Sequence, residues 1–370
     1  MPKQPTPPPS TPDASPAKRP TAANGAPKRV GIREIASKAE VSAATVSMVL
    51  NNNPKITAQT RRKVNRVVKE LGYRPNRIAQ SLSSKYTNML AVLMPTLRHT
   101  MADPYFGELI SGICDKAARL GHKVMLEHAK PDFIREKKHL DLFDRRFIDG
   151  VLCIGFSDLH TFLGDFAEGG YRAMMVNSVA TDLDLDYVMC DYDSAAQQIM
   201  TYLFQLGHRK IGMIHGAPEV YTMRQMMGVY RARMQEHVGE VNEGLLVDGR
   251  FTEEHGYAAA NQLLDANPEV TAIFAGNDKM ALGALHCASQ RGLSVPDELS
   301  IIGCDDIQYA AFVNPSLTTI NTPLYEAGAI ACERLIDRIH GSKEPVAHKL
   351  QTHLVLRQST AINRQANGLR

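Results

Sequence analysis

Basic side chains are concentrated in one short part of this 370-residue chain. Residues 28 to 88 contain 13 Lys/Arg and 3 Asp/Glu, a net charge of +10, whereas residues 89 to 370 contain 26 and 35, a net charge of −9. Lysine and arginine neutralise phosphate groups, so a small basic unit joined to an acidic body indicates a polyanion as the partner of that unit alone.

The residues that could act in covalent catalysis or bind a metal do not have the spacing of a catalytic or metal-binding motif. The six cysteines are scattered without the spacing of a zinc or redox motif, and the 13 histidines form no HExxH group. We therefore expect no metal and no cofactor, and cysteines that are buried as small hydrophobic residues. No strand is followed by GxGxxG, and no Ser/His/Asp or paired-carboxylate arrangement stands out, which disfavours an enzyme.

Three predicted helices position the basic residues. Apolar spacing predicts a helix over residues 32 to 39, a second from its N-cap Ser42 to Leu50, and a third that starts at its N-cap Thr57 and stops at Gly72. Two short helices separated by a tight turn, with a third closing the core, predict a helix-turn-helix. A generic three-helix bundle is the alternative, and the exposed basic residues favour the DNA-binding interpretation.

Beyond residue 88, apolar strands alternate with helices. This rhythm predicts parallel sheets built from βαβ units, and the strands are too numerous for one sheet. We expect two doubly wound lobes with a ligand cleft at the carboxyl ends of their strands. The clearest predicted strands are MLAVLMP, KVMLEHA, GVLCIG, YRAMMVN, KIGMIHG, TAIFAGND and LSIIGCDD.

The N-terminal segment has a different composition. Residues 1 to 27 are rich in Pro, Ser, Thr and Ala, which predicts a disordered tail.

The chain has no apolar run of about 18 residues or more and no apolar core of a secretory signal. We therefore expect a cytoplasmic protein with no membrane partner.

Specific motifs follow one another along the chain: IREIASKAEVSAATVSMVLN, LGYRPNRIAQSLSS, DPYF, YLFQLGHRKIGMI, GNDKMALGA, IIGCDD and LTTIN. In this order they resemble the lactose repressor (LacI/GalR) family of transcriptional regulators, from residue 30 to about residue 360. The resemblance implies an α/β protein in which a helix-turn-helix domain and a hinge helix precede two doubly wound α/β lobes like those of periplasmic binding proteins.

The resemblance also implies domain bounds. We expect a helix-turn-helix domain at 28–74, a hinge helix and linker at 75–88, an effector-binding and dimerisation domain at 89–360, and a tail at 361–370. The effector-binding and dimerisation domain is expected to contain two lobes. The first comprises residues 89–190 and 323–350, and the second comprises residues 191–322 and 351–360.

DNA contacts are carried over from the family position by position. Ala43, Ala44 and Met48 match side chains that read base edges, although none of them hydrogen-bonds a base well, so they are expected to contact thymine methyl groups. The matched phosphate contacts are Thr45, Ser47 and Asn51, the further DNA contacts are Lys55, Asn76 and Arg77, and Leu82 matches the hinge leucine that enters the minor groove. Glu40 occupies a turn position where the family prefers Gly or Asn, which tolerate a left-handed backbone.

Effector contacts are implied in the same way. The matched residues are Tyr105, Phe106 and Asn177 in the first lobe and Arg224, Phe251, Asn277 and Asp305 in the second. Core packing is an alternative for both phenylalanines. Met226 occupies the position at which the family has a ligand-gripping Arg, so either the effector is uncharged at that end or effector control is altered or lost. On the same predicted helix, Met223, Met227, Tyr230 and Met234 share one face and are expected in the core.

The expected function is therefore a repressor that binds a palindromic operator in double-stranded DNA as a homodimer and responds to a sugar-like small molecule. A dimer is expected because the apolar heptad tail of LacI-type tetramers does not follow Thr360. The alternatives are a transcriptional activator, an effector-independent repressor of the same fold and, more distantly, a ligand-binding protein without a DNA role.

Overall fold

The structure is a computed structural model that describes residues 31–50, 53–73, 86–96, 102–157 and 159–363. The chain forms two compact units, residues 1–85 and residues 86–370. The predicted tail at 1–27, most of the predicted hinge segment, and the predicted DNA contacts Asn51, Asn76, Arg77 and Leu82 lie outside the described residues.

The first unit contains the three predicted helices, with the predicted caps. They are α1 (Ile32–Lys38), α2 (Ala43–Leu50) and α3 (Ala58–Glu70). The Ser42 hydroxyl accepts from the amide of Thr45 at 3.0 Å, and the Thr57 hydroxyl accepts from the amide of Thr60 at 3.3 Å. Each bond satisfies one of the amides that a helix leaves unpaired in its first turn. Gly72 follows α3 with a left-handed φ of +60°, the conformation in which glycine ends a helix without strain.

One apolar side of each helix forms the core of this unit. Ile35 and Val64 are fully buried, and the other core residues are Ala36, Ala39, Val46, Val49 and Val67. Because α2 has only eight residues, packing of Val46 and Val49 rather than helix propensity holds it in place.

Glu40 has the left-handed backbone predicted for its turn, with φ of 48°. Its carboxylate lies 2.6 Å from the ammonium group of Lys63 on α3. This hydrogen bond, followed by the charge of Lys63, lowers the pKa of Glu40. The acid therefore faces a lysine of its own unit.

The first lobe of the second unit is built on a six-stranded parallel sheet of order β11-β5-β4-β3-β1-β2. Both faces are covered, since alternate residues of β1 belong to two different apolar clusters. The strands are β1 (Met89–Met94), β2 (Lys123–His128), β3 (Gly150–Ile154), β4 (Ala173–Val176), β5 (Asp186–Cys190) and β11 (Ala347–Leu350). The helices are α4 (Pro104–Arg119), α5 (Pro131–Arg135), α6 (Lys138–Asp144), α7 (Leu163–Glu168) and α12 (Leu324–Ile339).

The second lobe contains a four-stranded parallel sheet of order β7-β6-β8-β9. An antiparallel pair, β10 and β12, lies beside β9 through a bridge from Ile302 to Thr318. The strands are β6 (Ile211–His215), β7 (Leu246–Asp248), β8 (Ala272–Ala275), β9 (Ser300–Ile302), β10 (Thr319–Asn321) and β12 (His353–Val355). The α-helices are α8 (Tyr192–Gln205), α9 (Tyr221–Val238), α10 (Glu253–Ala266) and α11 (Asp278–Gln290), with short 3₁₀ turns at Glu243–Leu245 and Gln308–Ala311.

Three segments connect the two lobes. They follow β5 and β11, which are neighbours at one edge of the first sheet, and β10, which belongs to the antiparallel pair beside β9. A cleft between two lobes joined in this way opens and closes about these three crossings.

Helices α4 and α12 of the first lobe approach each other closely at two glycines. A Cβ atom on Gly112 would lie 1.9 Å from the carbonyl oxygen of Tyr325, and one on Gly328 would lie 2.1 Å from that of Leu109. Only glycine fits at such a backbone contact.

The predicted strands of the second unit are confirmed. The seven apolar runs singled out above correspond to β1, β2, β3, β4, β6, β8 and β9. The expectation of six buried cysteines is wrong for Cys114, which is half-buried on α4, whereas the other five are buried. Among the described residues, no helix combines the length and apolar character that a membrane span requires.

Candidate functional site

Helix α2 presents a small apolar surface outside the core of the first unit. Ala43 and Ala44 are exposed, and 36% of Met48 is exposed one turn further along. Because Val46 and Val49 hold the opposite side of α2, the three predicted base-reading residues share the outer side.

The polar residues around this surface differ in how firmly they are held. The Thr45 hydroxyl is 2.8 Å from that of Ser42, and Ser47 is half-buried. Lys55 is exposed in the turn after α2, where its amide donates to the Asn53 side chain at 2.9 Å. The structure thus brings the described candidates Ala43, Ala44, Thr45, Ser47, Met48 and Lys55 to one helix and the turn that follows it.

Some of the basic residues of this unit are paired internally. Lys38 and Arg66 lie 3.3 and 3.8 Å from Glu70, in addition to the pair between Lys63 and Glu40. Lys55 makes no such pair within the described residues, so its charge remains available to a phosphate.

In the second unit, the predicted effector residues follow the carboxyl ends of strands in both lobes. Asn177 follows β4 directly, with a left-handed φ of 53°. Its side-chain oxygen accepts from the Cys190 amide at 2.9 Å, and its amide nitrogen donates to the hydroxyls of Tyr105 and Tyr192, each at 3.0 Å. Both amide hydrogens of Asn177 are therefore committed to phenols. Burial raises the pKa of the Tyr105 phenol, which remains a neutral donor.

Asp305 continues this chain of hydrogen bonds in the second lobe. The Tyr192 hydroxyl donates to its Oδ1 at 3.2 Å, and the Thr322 hydroxyl lies 3.4 Å from the same oxygen. Burial first, and then the charge of Asp278, raise the pKa of Asp305 well above its ordinary value. Within the described residues Oδ2 of Asp305 has no hydrogen-bond partner, so it can accept from a ligand donor when the acid is ionised and donate to a ligand acceptor when the acid is protonated.

Tyr192 is the residue of this site that the sequence analysis missed. It is the first residue of α8, directly after the N-cap Asp191, and only 4% of it is exposed. Its position directly after a residue type that caps helices, Asp191, is a signal that could have identified it as a helix start, but its partners are distant in sequence.

A second group lies at the ends of β6 and β8. Phe251 has a left-handed φ of 60°, and its ring is held against Gly216, where a Cβ atom would lie 2.1 Å from the ring. Asn277 caps α11 by accepting from the amide of Met280 at 2.9 Å, and its amide group lies 3.4 Å from the carbonyl of Phe251. Asn277 thus positions the loop that carries the ring.

Phe106 and Arg224 are not grouped with these side chains. Phe106 is buried, with its ring edge-on to Tyr105 at 5.2 Å, which agrees with the core-packing alternative. Arg224 is exposed, with its guanidinium over the ring of Tyr221 and a hydrogen bond of 3.3 Å to the carbonyl of Glu219. Met226 is fully buried on the same helix.

Among the described residues, one ion pair joins the two lobes. Asp103, the N-cap of α4, lies with its Oδ2 2.8 Å from Nζ of Lys279 on α11. Lys279 also lies 3.8 Å from Glu253. Arg357 is likewise engaged, at 2.6 Å from Asp306. Among the described residues, no group of three or more His, Cys, Asp or Glu side chains could hold a metal.

Comparisons with known proteins agree with both units. Residues 31–76 match the model of bacterial regulatory proteins, lacI family, and residues 188–360 match that of the periplasmic binding protein-like domain. Catabolite control protein A of Priestia megaterium is 32% identical over 336 residues, which cover 90% of this chain and 99% of that protein. The HTH-type transcriptional repressor CytR of Escherichia coli (strain K12) is 35% identical over 337 residues, 89% of this chain and 96% of that protein.

Solved structures share the fold. A transcriptional regulator CelR–cellobiose complex is 29% identical, with a TM-score of 0.69, and the match covers 90% of this chain and 100% of that one. The lac repressor dimer bound to operator and the anti-inducer ONPF has a TM-score of 0.79 at 24% identity, with the same coverage, and this similarity concerns the fold alone.

Proposed function

Because this chain belongs to the LacI family and is a DNA-binding transcriptional regulator, we propose that it is a repressor that binds a palindromic operator as a homodimer. The observation that carries the proposal is the exposed apolar side of α2, with Ala43, Ala44 and Met48, beside Lys55, whose charge has no acidic partner in the part of the chain that the structure describes. A related protein that covers nearly the same length is named a transcriptional repressor, which supports repression over activation.

Base recognition in this proposal depends on apolar contacts. Alanine and methionine side chains meet thymine methyl groups in the major groove, while Thr45, Ser47, Asn51 and Lys55 hold the phosphates. Asn76, Arg77 and the wedge residue Leu82 add contacts and minor-groove bending. Sequence preference then arises from thymine positions and from the ease with which the central step bends.

The proposed effector is a neutral, hydroxyl-bearing molecule such as a sugar. A hydroxyl of the effector would donate to Oδ2 of Asp305, and an acceptor oxygen of the effector would accept from the Tyr105 hydroxyl. The ring of Phe251 would pack on an apolar face of the effector. Lys279 and Arg357 are already paired with Asp103 and Asp306, which leaves little to attract an anionic ligand. The cellobiose complex of a related regulator supports a sugar.

The proposal is tested first by operator binding. We expect the full-length protein to select a palindromic site from a random DNA pool and to lose affinity steeply as salt rises, because each neutralised phosphate releases counterions. Replacing Met48 by Arg should move the preferred base at one position of each half-site to guanine, with a discrimination of about 1–3 kcal/mol.

Met48→Leu is the matched control, because leucine keeps an apolar contact at the same position. We expect it to retain the wild-type preference. Binding that is independent of DNA sequence would refute the repressor proposal, and an unchanged preference in Met48→Arg would show that residue 48 does not face the bases.

A further inference from the structure

We propose that two sets of polar contacts, made entirely by protein groups, hold the cleft of the second unit closed. They are the ion pair between Asp103 and Lys279 and the two hydrogen bonds of the Tyr192 hydroxyl, which accepts from Asn177 and donates to Asp305. We call these contacts the clamp. The inference deepens the proposed function, since it assigns the regulation of the same site to Lys279 and Tyr192.

The ion pair is anchored at its acidic end. Oδ1 of Asp103 accepts from the amide of Tyr105 at 3.0 Å, while Oδ2 faces Lys279. The helix cap therefore fixes the carboxylate whether or not the lysine is present, so less conformational entropy is lost when the pair forms. The two side chains are only 16% and 22% exposed, and salt screens such a pair less than a surface pair.

Lys279 has a second acidic neighbour inside its own lobe. Glu253, at the start of α10, lies 3.8 Å from the ammonium group. When the lobes separate, Lys279 can move towards Glu253 and remain partly compensated. The ion pair is thereby reversible, because opening does not leave a partly buried cation without any acid.

The position of the ion pair makes it sensitive to lobe movement. Asp103 follows β1, which lies three strands from β5, the strand that leads into the first crossing. With a spacing of about 4.8 Å per strand, the pair is about 14 Å from the crossings, so an opening of about 20° would separate its groups by about 5 Å. Any such opening breaks the ion pair.

Tyr192 acts closer to the crossings and on the polar groups that the ligand would use. Its hydroxyl accepts from Asn177 of the first lobe and donates to Asp305 of the second. Leaving a buried donor or acceptor without a partner costs free energy. When the cleft opens, these groups must therefore form hydrogen bonds with water or with a ligand instead. In the closed cleft the phenol accepts one of the two amide hydrogens of Asn177.

The proposal is tested by measuring the distance between the lobes without DNA and without any small molecule. Spin labels would be placed at the exposed positions Glu108 on α4 and Glu254 on α10, with Cys114 replaced by Ala to prevent side labelling. Labelled chain is mixed with an excess of unlabelled chain, so that a dimer carries one labelled protomer. We expect wild type to give one short distance.

Three variants should open the cleft to different extents. Lys279→Glu places an acid opposite Asp103 and Glu253 and should shift most molecules to a distance longer by about 5 Å or more. Lys279→Met removes the ion pair and Tyr192→Phe removes both hydrogen bonds of the phenol, and each should raise the ratio of open to closed molecules about 2- to 5-fold. Adding Asp103→Asn, which keeps the helix cap, should partly reverse the effect of Lys279→Glu.

Lys116→Met is the matched control, because Lys116 pairs with Glu333 at 3.1 Å within the first lobe. It should leave the distance unchanged. The proposal is wrong if wild type is already open, or if Lys279→Met and Tyr192→Phe, confirmed as folded by circular dichroism, leave the distance at the wild-type value. Operator binding is measured separately, so a protein that fails to bind DNA but opens on Lys279→Glu would refute the proposed function and retain the clamp.

Discussion

At the scale of single residues, Met226 changes the interpretation of the cleft. The family match places it where a ligand-gripping arginine is usual, yet its side chain is fully buried in the apolar core together with Met223 and Met227. The thioether fills this core without a polar requirement. Position 226 therefore belongs to the packing of α9 in this chain and offers no group to a ligand.

A substitution at this position should accordingly fail to restore an anion-binding site. We expect Met226→Arg to destabilise the second unit by about 3–5 kcal/mol, because a guanidinium would be buried without an acidic partner. The measurement is denaturant unfolding of the full chain, followed by circular dichroism. Met226→Leu, which nearly conserves volume, should lose less than about 1.5 kcal/mol. Equal stability of the two variants would show that residue 226 reaches solvent.

Some of the other candidate site residues could be expected from the sequence, whereas others could be found only from the structure. Asn177, Asn277 and Asp305 were expected as effector contacts from the family resemblance, and each lies within three residues of the end of an apolar strand. Tyr192 and Lys279 were not, because their partners are set by the packing of one lobe on the other. Lys279 and Asp103 are 176 positions apart, and local sequence patterns contain no information about such a pair.

At the scale of elements, burial on both faces explains which strands could be predicted. All six residues of strand β1 are apolar because the sheet is covered on both sides. Strand β5 begins with the half-buried Asp186 and Tyr187, so its apolar run is only three residues long and was missed. The three-residue strands β10 and β12 are shorter than any periodic signal and are defined by their pairing.

The crossing of α4 and α12 gives a prediction for two glycines on helices. Gly328→Ala should destabilise the second unit by about 3 kcal/mol or more, because its Cβ would lie 2.1 Å from the carbonyl oxygen of Leu109 and a backbone must shift. Gly107→Ala on α4 meets nothing within 4 Å and should stabilise by about 0.5–1 kcal/mol through helix propensity. Thermal unfolding of both variants checks the pair, and a neutral Gly328→Ala would mean that the helices separate easily.

At the scale of the whole molecule, one buried carboxyl links three parts of the second lobe. Asp278, the first residue of α11, accepts from the Thr319 hydroxyl at 2.5 Å and from the Ile307 amide at 2.9 Å. Burial, opposed by these two bonds, raises the pKa of Asp278 from 3.8 to about 7. The charges of Asp306 and Arg357 act on it in opposite directions.

This raised pKa predicts how the stability of the second unit depends on pH. The folded state binds the proton more tightly than the unfolded state, so the contribution of Asp278 is complete below about pH 4 and is lost as pH rises through about 7. The loss amounts to at most roughly 4 kcal/mol. Asp278→Asn should remove this part of the profile in urea unfolding measured from pH 4 to 8. Identical profiles for variant and wild type would exclude Asp278 as the titrating group.

The return of the chain to both sheets has a consequence for synthesis on the ribosome. Strand β11 completes the first sheet, and the amide of Ile301 in β9 donates to the carbonyl of Ser359 at 2.8 Å. Neither lobe can therefore finish folding until almost the whole chain has emerged. At about 5–20 residues per second, the apolar strands made first wait for tens of seconds, exposed to chaperones and to aggregation. A nonsense mutation just before α12 would thus deprive both lobes of a strand, although it removes less than a sixth of the sequence.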